Sequence, residues 1–311
     1  MKKYYVIMLI SAALAAVNVP LGKLLLPNLP PMLVAALTYT GGAVGLGLIF
    51  GFSRLFKWDK DPFLKGKDWL YVLGVNICDC CANTMLFYGL SLLSGEAASL
   101  LQSFEIVSTA VIAYFLFHEK VSWRLWFAIA IVLGASVLLS FTPGQVFAFN
   151  WGALLIIGTT IFWGFANNLA KKIADKDPIE YSFFKCLTPA IVLSIIALSL
   201  GNFSTQWGYV GLGLLDGFLA YGISIALMMF CLRKLPIALG TALYSTNPFI
   251  GAILSLIVFP VWPEWNFYVA IVFVLLGEVL AGYDGIKTEK EMAKLAASKA
   301  PETPPDSSFI K

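Results

Sequence analysis

Four carboxylic acids stand inside stretches where nearly every neighbour is apolar: Asp79, Glu105, Asp216 and Glu278. An ionised side chain at the centre of a bilayer costs at least ~2.5–3.5 kcal/mol on insertion scales. Acids kept there turn toward a protein interior, where they can bind a cation or carry a proton. Spacing groups two of them with amides. Asn76, Asp79 and Asn83 lie three and then four residues apart, so they share one helix face, and Gln102, Glu105 and Thr109 repeat the pattern. Thr241, Tyr244 and Pro248 line up in the same way with Asn247 beside them. These faces are expected to converge on one polar cavity; the other use of such residues is hydrogen bonding between helices.

The substrate-binding candidates are Asn18, Asp79, Asn83, Gln102, Glu105, Trp163, Asn167, Asp216, Tyr244 and Asn247. Asp79 and Glu105 are also the candidate proton carriers. Trp163 lies within an apolar run, one turn before Asn167, and is placed to stack on a substrate or a cation. Glu278, in the last apolar run, is read as structural, and Lys23 and Lys185 as side chains that snorkel to a headgroup layer. The alternative for Lys185 is pairing with an acid in the cavity. Pro20, Pro189 and Pro248 each remove a backbone donor, which frees a carbonyl one turn earlier. Asn18 and Asn247 beside such breaks are hinge or ligand-contact candidates.

The elements that must position these groups follow from composition. Hydrophobic residues make up 59% of the 311 and charged residues 13%, about half the ~25% charge of a soluble chain. Such a chain cannot coat its own surface with polar groups, so its partner is the lipid bilayer. Ten apolar runs approach the ~20 residues that a membrane-crossing helix needs: 4–26, 32–52, 69–92, 97–117, 124–141, 151–170, 181–200, 207–231, 237–259 and 264–286. None alternates as a barrel strand does, which leaves helices. The breakers Pro27, Pro30 and Pro31, Pro143 and Gly144, Pro178, Pro260 and Pro263 punctuate them. Eight of the nine tryptophans, Trp58, Trp69, Trp123, Trp126, Trp151, Trp207, Trp262 and Trp265, fall near run ends, as interfacial belts require.

Basic residues set the orientation. With the N-terminus in the cytoplasm, all 21 Lys and Arg except Lys23 and Lys185 fall in cytoplasmic segments. The start, MKKYYVIMLISAALAAV, has the charged head, apolar centre and small-residue site of a signal peptide, but the apolar run continues past that site and is read as the first span. The expected location is the inner or plasma membrane, multi-pass, with both termini cytoplasmic.

The chain repeats itself. Leu90, Ser103 and Glu105 recur at one constant offset as Leu232, Ser245 and Asn247; Gly134 matches Gly277, and Pro31 matches Pro178. The halves are residues 1–146 and 147–286, with a tail at 287–311. Five spans per half is an odd number, so the second half enters the membrane upside down, an arrangement of secondary transporters. The expected fold is an all-α polytopic membrane protein of ten transmembrane helices in two inverted five-helix repeats.

Several stretches resemble the drug/metabolite transporter superfamily, of the ten-helix EamA type. They are Leu29-Pro30-Pro31, Tyr88-Gly89-Leu90, Ser103-Phe104-Glu105-Ile106, Phe117-His118-Glu119, Gly134, Phe162-Trp163-Gly164 and Asn247-Pro248. The resemblance runs over residues ~4–286 in order and spacing. Two positions depart from it: Ile106, where the family often has proline, and Ala15-Ala16, where it has an aromatic-glycine pair. The resemblance implies alternating-access movement of a small metabolite, commonly export of an amino acid or a related compound.

Other classes are weaker. The single histidine, His118, forbids HExxH zinc chemistry. Asp216 follows Gly211-Leu212-Gly213-Leu214-Leu215, which is not a compact glycine-aspartate protease motif. Cys78, Cys80 and Cys81 cannot share one helix face, and no glycine-rich phosphate loop is present. No metal, no cofactor and no catalytic residue is expected, and the net charge of +3 gives no reason to expect a nucleic-acid partner. The reading is a secondary-active transporter of a small polar or zwitterionic substrate, with protons as a candidate coupling ion; the alternatives are a receptor or scaffold, or an intramembrane enzyme. The tail begins KTEKEMAKLAASK, spaced as a helical extension, and APETPPDSS is expected to be disordered.

Overall fold

The computed structural model describes residues 2–56, 62–118, 122–140, 150–173, 176–232, 234–235, 240 and 243–299. Trp58, Glu119, Pro143, Gly144, Thr241 and the 300–311 end lie outside the described residues. Eight helices are long and apolar enough to cross a bilayer: Lys2–Leu25, Pro31–Leu55, Asp68–Leu92, Gly95–Leu116, Trp151–Ile173, Pro178–Ser199, Trp207–Leu232 and Trp265–Lys287. Two shorter apolar helices, Trp123–Leu139 and Asn247–Val258, bring the described set to ten. In chain order they are called the first to tenth spans. The tenth continues as helix to Lys299, as its Glu and Lys spacing predicts.

Local chemistry starts and stops these helices. Pro31 and Pro178 occupy first-turn positions, where the missing donor has no helical partner to lose. Asp177 caps the seventh span by accepting from the Ile179 and Glu180 amides at 2.8 and 3.2 Å, and Asn150 caps the sixth through the Gly152 amide at 2.8 Å. His118, at φ 53°, ends the fourth in a left-handed turn. Trp69, Trp123, Trp126, Trp151, Trp207, Trp262 and Trp265 stand exposed near helix ends, and Val44, Leu48, Ile191, Ile195, Ile257 and Leu276 are exposed on outward faces that only lipid can cover.

Among the described residues, four spans are interrupted. The first breaks at Val17, between helices Lys2–Ala16 and Asn18–Leu25. The fourth breaks at Ser103, between Gly95–Gln102 and Phe104–Phe117. The eighth carries a π-helical turn at Phe218–Ile223, and a turn at Ser245-Thr246 precedes the ninth helix. Pro20 and Pro248 fall in the first turn of the helix that follows a break, whereas Pro189 sits inside a continuous seventh span. The backbone therefore opens at Val17 and Ser245-Thr246, just upstream of two prolines, and not at the third.

Several of the main contacts between spans recur under exchange of each span with the one five places later. The third packs on the sixth, and the eighth on the first; the fourth on the sixth, and the ninth on the first; the second on the eighth, and the seventh on the third. Second with seventh, fourth with ninth and fifth with tenth pair with each other. The second and eighth spans approach each other closely. A methyl group on Gly41 would strike the Leu214 carbonyl, and one on Gly217 the Thr38 carbonyl, the close helix contact that small residues permit.

Candidate functional site

A cavity of about 720 Å³ lies between the halves. All four interruptions reach its wall: Asn18 from the first, Gln102 and Ser103 from the fourth, Ala220 and Tyr221 from the eighth, and Ser245 and Asn247 from the ninth. Non-helical backbone at membrane depth is tolerated where it borders such a space. Asn18, Asp79, Gln102, Glu105, Trp163, Asn167, Tyr244 and Asn247 all line the wall, which brings together eight side chains singled out from spacing.

Asn83 and Asp216 do not line it. Asn83 is fully buried, donating to the Ala35 carbonyl and the Thr38 hydroxyl, each at 3.2 Å, and accepting from the Tyr221 hydroxyl at 3.0 Å. It ties the second, third and eighth spans together and orients Tyr221, which faces the cavity. Asp216 is fully buried behind Asn18, whose amide nitrogen donates to its Oδ2 at 3.0 Å. Both stand one layer behind the wall, because helical spacing fixes a face but not the distance to a cavity.

The charged part of the wall is a cluster. Lys185 Nζ lies 3.7 Å from Asp79 Oδ2, so this lysine points into the protein rather than to a headgroup layer. Glu105 Oε1 accepts from Asn167 Nδ2 at 2.6 Å, and Asn167 also reaches the Thr109 hydroxyl at 3.4 Å. Glu105 sits within electrostatic reach of both Asp79 and Lys185. Glu278 also lines the cavity, beside Ser103, with its Oε1 and the Gln102 Nε2 lacking hydrogen-bond partners among the described residues. Its position corrects the structural reading drawn from its place in the last span: the tenth helix packs on the fifth yet turns this acid inward. Tyr39, Tyr181 and Tyr221 join Trp163 and Tyr244 on the wall. Nothing in the sequence set those three tyrosines apart from interfacial aromatics, and their inward aim is decided by packing.

Lys23 also departs from snorkelling. Its amine donates to the Leu90 and Leu93 carbonyls at 2.9 and 2.7 Å. It thus covers the open carbonyls at the end of the third span, where a cation is favoured.

The cavity is lopsided. Its lining runs on to Ala113, Leu125, Lys171, Leu232, Gly240 and Gly285, at the ends of spans on the face that carries the chain termini. Toward the other face the space is filled by Leu25, Leu90, Leu101 and Ala252, each buried in one contiguous core. Gly251 packs there on Ser99, and Gly95 on Ser255. The chamber is thus polar, lined toward one face and closed by packed side chains toward the other.

Comparison with known proteins agrees with this architecture. The model of the EamA-like transporter family matches residues 2–141 and again 150–283. An uncharacterized transporter of Methanothermobacter thermautotrophicus is 24% identical over 273 residues, covering 82% of this chain and 78% of its own. The uncharacterized inner membrane transporter YedA of Escherichia coli K12 is 29% identical over 148 residues, 45% of this chain and 46% of its own. A solved crystal structure shares the fold with a TM-score of 0.63 at 18% identity, over 93% of this chain and 99% of that one. With two matches of one family model spanning nearly all of its membrane helices, the chain belongs to the EamA-like transporter family and is a multi-pass membrane transporter.

Proposed function

We propose that the protein is a secondary-active carrier that moves a small polar or zwitterionic metabolite by alternating access, with an amino acid or related compound favoured and export the favoured direction. The observation that carries this reading is the one-sided chamber between two five-span halves, lined by acids, amides and a lysine together with aromatic rings. Its volume, about 720 Å³, falls in the range of small-molecule sites. A zwitterion meets both of its needs there: Lys185 for a carboxylate, and Glu105 or Glu278 for an ammonium. Trp163 and Tyr244 offer faces for the apolar part. Five spans per half reverse the second half relative to the first, so rocking about the shared site closes one mouth as it opens the other. The positive-inside bias of the basic segments supports a cytoplasmic open mouth, the side from which an exporter loads.

The test is counterflow. Proteoliposomes preloaded with unlabelled amino acids are expected to accumulate labelled amino acid transiently and saturably; a receptor or scaffold would give none. Asp79 and Glu105 are the proposed proton carriers. Glu105→Gln is expected to abolish flux driven by a pH gradient while leaving part of the exchange, and unchanged pH dependence would remove Glu105 from that role.

A further inference from the structure

We infer that Lys185 and Asp79 form an exchangeable ion pair: a substrate carboxylate takes the Lys185 ammonium away from Asp79, and Asp79 takes up one proton in its place. This rests on the carrier reading and adds to it the substrate's obligatory group and the coupling step.

The two partners are unequal. The Lys185 side chain keeps 24% of its surface accessible, and the Asp79 side chain none. Both residues line the chamber, and of the two side chains the lysine is the one that a solute entering it can touch. The pair is also loose. At 3.7 Å it is longer than the ~2.7–2.9 Å of a charge-assisted hydrogen bond, and neither Asp79 oxygen accepts a hydrogen bond from any described residue. A carboxylate buried without donors depends on its counter-ion alone.

The titratable groups around Asp79 come from every neighbouring element: Cys78 and Cys80 on its own span, Tyr39 on the second, Glu105 on the fourth, Tyr181 and Cys186 on the seventh, and Tyr221 on the eighth. Lys185 is the cation in that set. When it turns to a substrate carboxylate, nothing else in the set compensates Asp79, and a buried uncompensated charge neutralises. The balance is simple. Before exchange the pole holds one ammonium and one carboxylate. Afterwards it holds the ammonium, the substrate's carboxylate and a carboxylic acid whose proton came from water in the chamber, with the same net charge. Substrate and proton are then bound together and travel in one direction, so net export runs on substrate accumulation rather than on an inward proton gradient.

The test uses purified full-length protein in detergent, weakly buffered, with a pH indicator and a parallel thermal-shift reading. The probes are an equimolar mixture of neutral L-amino acids and the matching L-amino-acid amides. The amino acids are expected to shift the melt and to draw about one proton from solution per molecule bound, and the amides to do neither. Asp79→Asn is expected to bind the amino acids about tenfold or more tightly, because Lys185 is already free, and without proton uptake; Lys185→Gln is expected not to bind them. A melt shift in the wild type without proton uptake, or uptake that persists in Asp79→Asn, overturns this inference alone. The wild-type proton count needs no variant to fold. No melt shift with either probe set overturns the substrate reading itself, and this inference with it.

Discussion

Lys185 and Asp79 set the scale at which single side chains matter most. Removing one member of a buried pair leaves the other uncompensated, a loss of about 3–5 kcal/mol where the site is dry, whereas removing both is far milder. Lys185→Met is therefore expected to lower the unfolding temperature of the purified protein clearly, and Lys185→Met with Asp79→Leu to recover most of it. Equal melting of the single and double variants would contradict the pairing. Lys23 predicts a separate effect, because its amine closes two carbonyls at the end of the third span. Lys23→Met is expected to cost about 1–3 kcal/mol through those unpaired groups, read by thermal unfolding in detergent, with substrate binding kept. Much of the polar wall was readable in the sequence from acids and amides at helical spacing in apolar runs, as with Asp79, Gln102, Glu105 and Asn247, although Asn76 and Asn83 share that spacing and do not line it. Where the choice lay between two environments for one side chain it was not. A lysine one turn inside a span can rise to the headgroups or turn inward, and only the position of Asp79 across the helix gap decides it.

Helices carry the next layer. The second and eighth spans meet so closely at Gly41 and Gly217 that any side chain there strikes backbone rather than a movable group. Gly217→Ala is expected to destabilise by about 1–3 kcal/mol and to depress counterflow. Gly51→Ala, on the same second span, meets nothing within 4 Å and is expected to be neutral. A similar loss of stability for both variants would deny the close approach. The span count and order were legible, since apolar length and the positions of Lys and Arg are direct consequences of the bilayer. The interruptions were legible only in part. Asn18-Val19-Pro20 and Asn247-Pro248 announced two of them, but the break at Ser103 and the π-helical turn at Phe218–Ile223 contain no proline. They arise where the helix meets its neighbours, which local sequence does not encode.

For the whole molecule, the one-sided chamber predicts which positions water can reach. Single cysteines placed at Ala281 and at Ala98, in a background without the native cysteines, are expected to behave oppositely toward an impermeant thiol reagent. Ala281 lines the chamber and Ala98 is fully buried in the closed part. Adding amino acids is expected to slow labelling at Ala281 as the carrier closes over them; labelling that is fast at both positions, with or without amino acids, would contradict a sealed far side. Several main contacts between spans recur under the exchange, second on eighth with seventh on third among them, which is the arrangement that such rocking would use. The weak internal repeat of Ser103 with Ser245, and of Glu105 with Asn247, was its trace in the sequence. The chamber's tilt toward one face was not written there, because it depends on how whole spans pack and not on any one residue.

The central claim is that this chamber is where the transported molecule sits. The most direct measurement is saturable amino-acid counterflow in proteoliposomes for the wild type and for Ala110→Trp, which puts a large ring on the chamber wall at a residue that is not itself a proposed binding group. The account predicts saturable counterflow in the first and its loss in the second, with the variant still folded and monodisperse. Counterflow of equal rate in both proteins would place the transport route elsewhere.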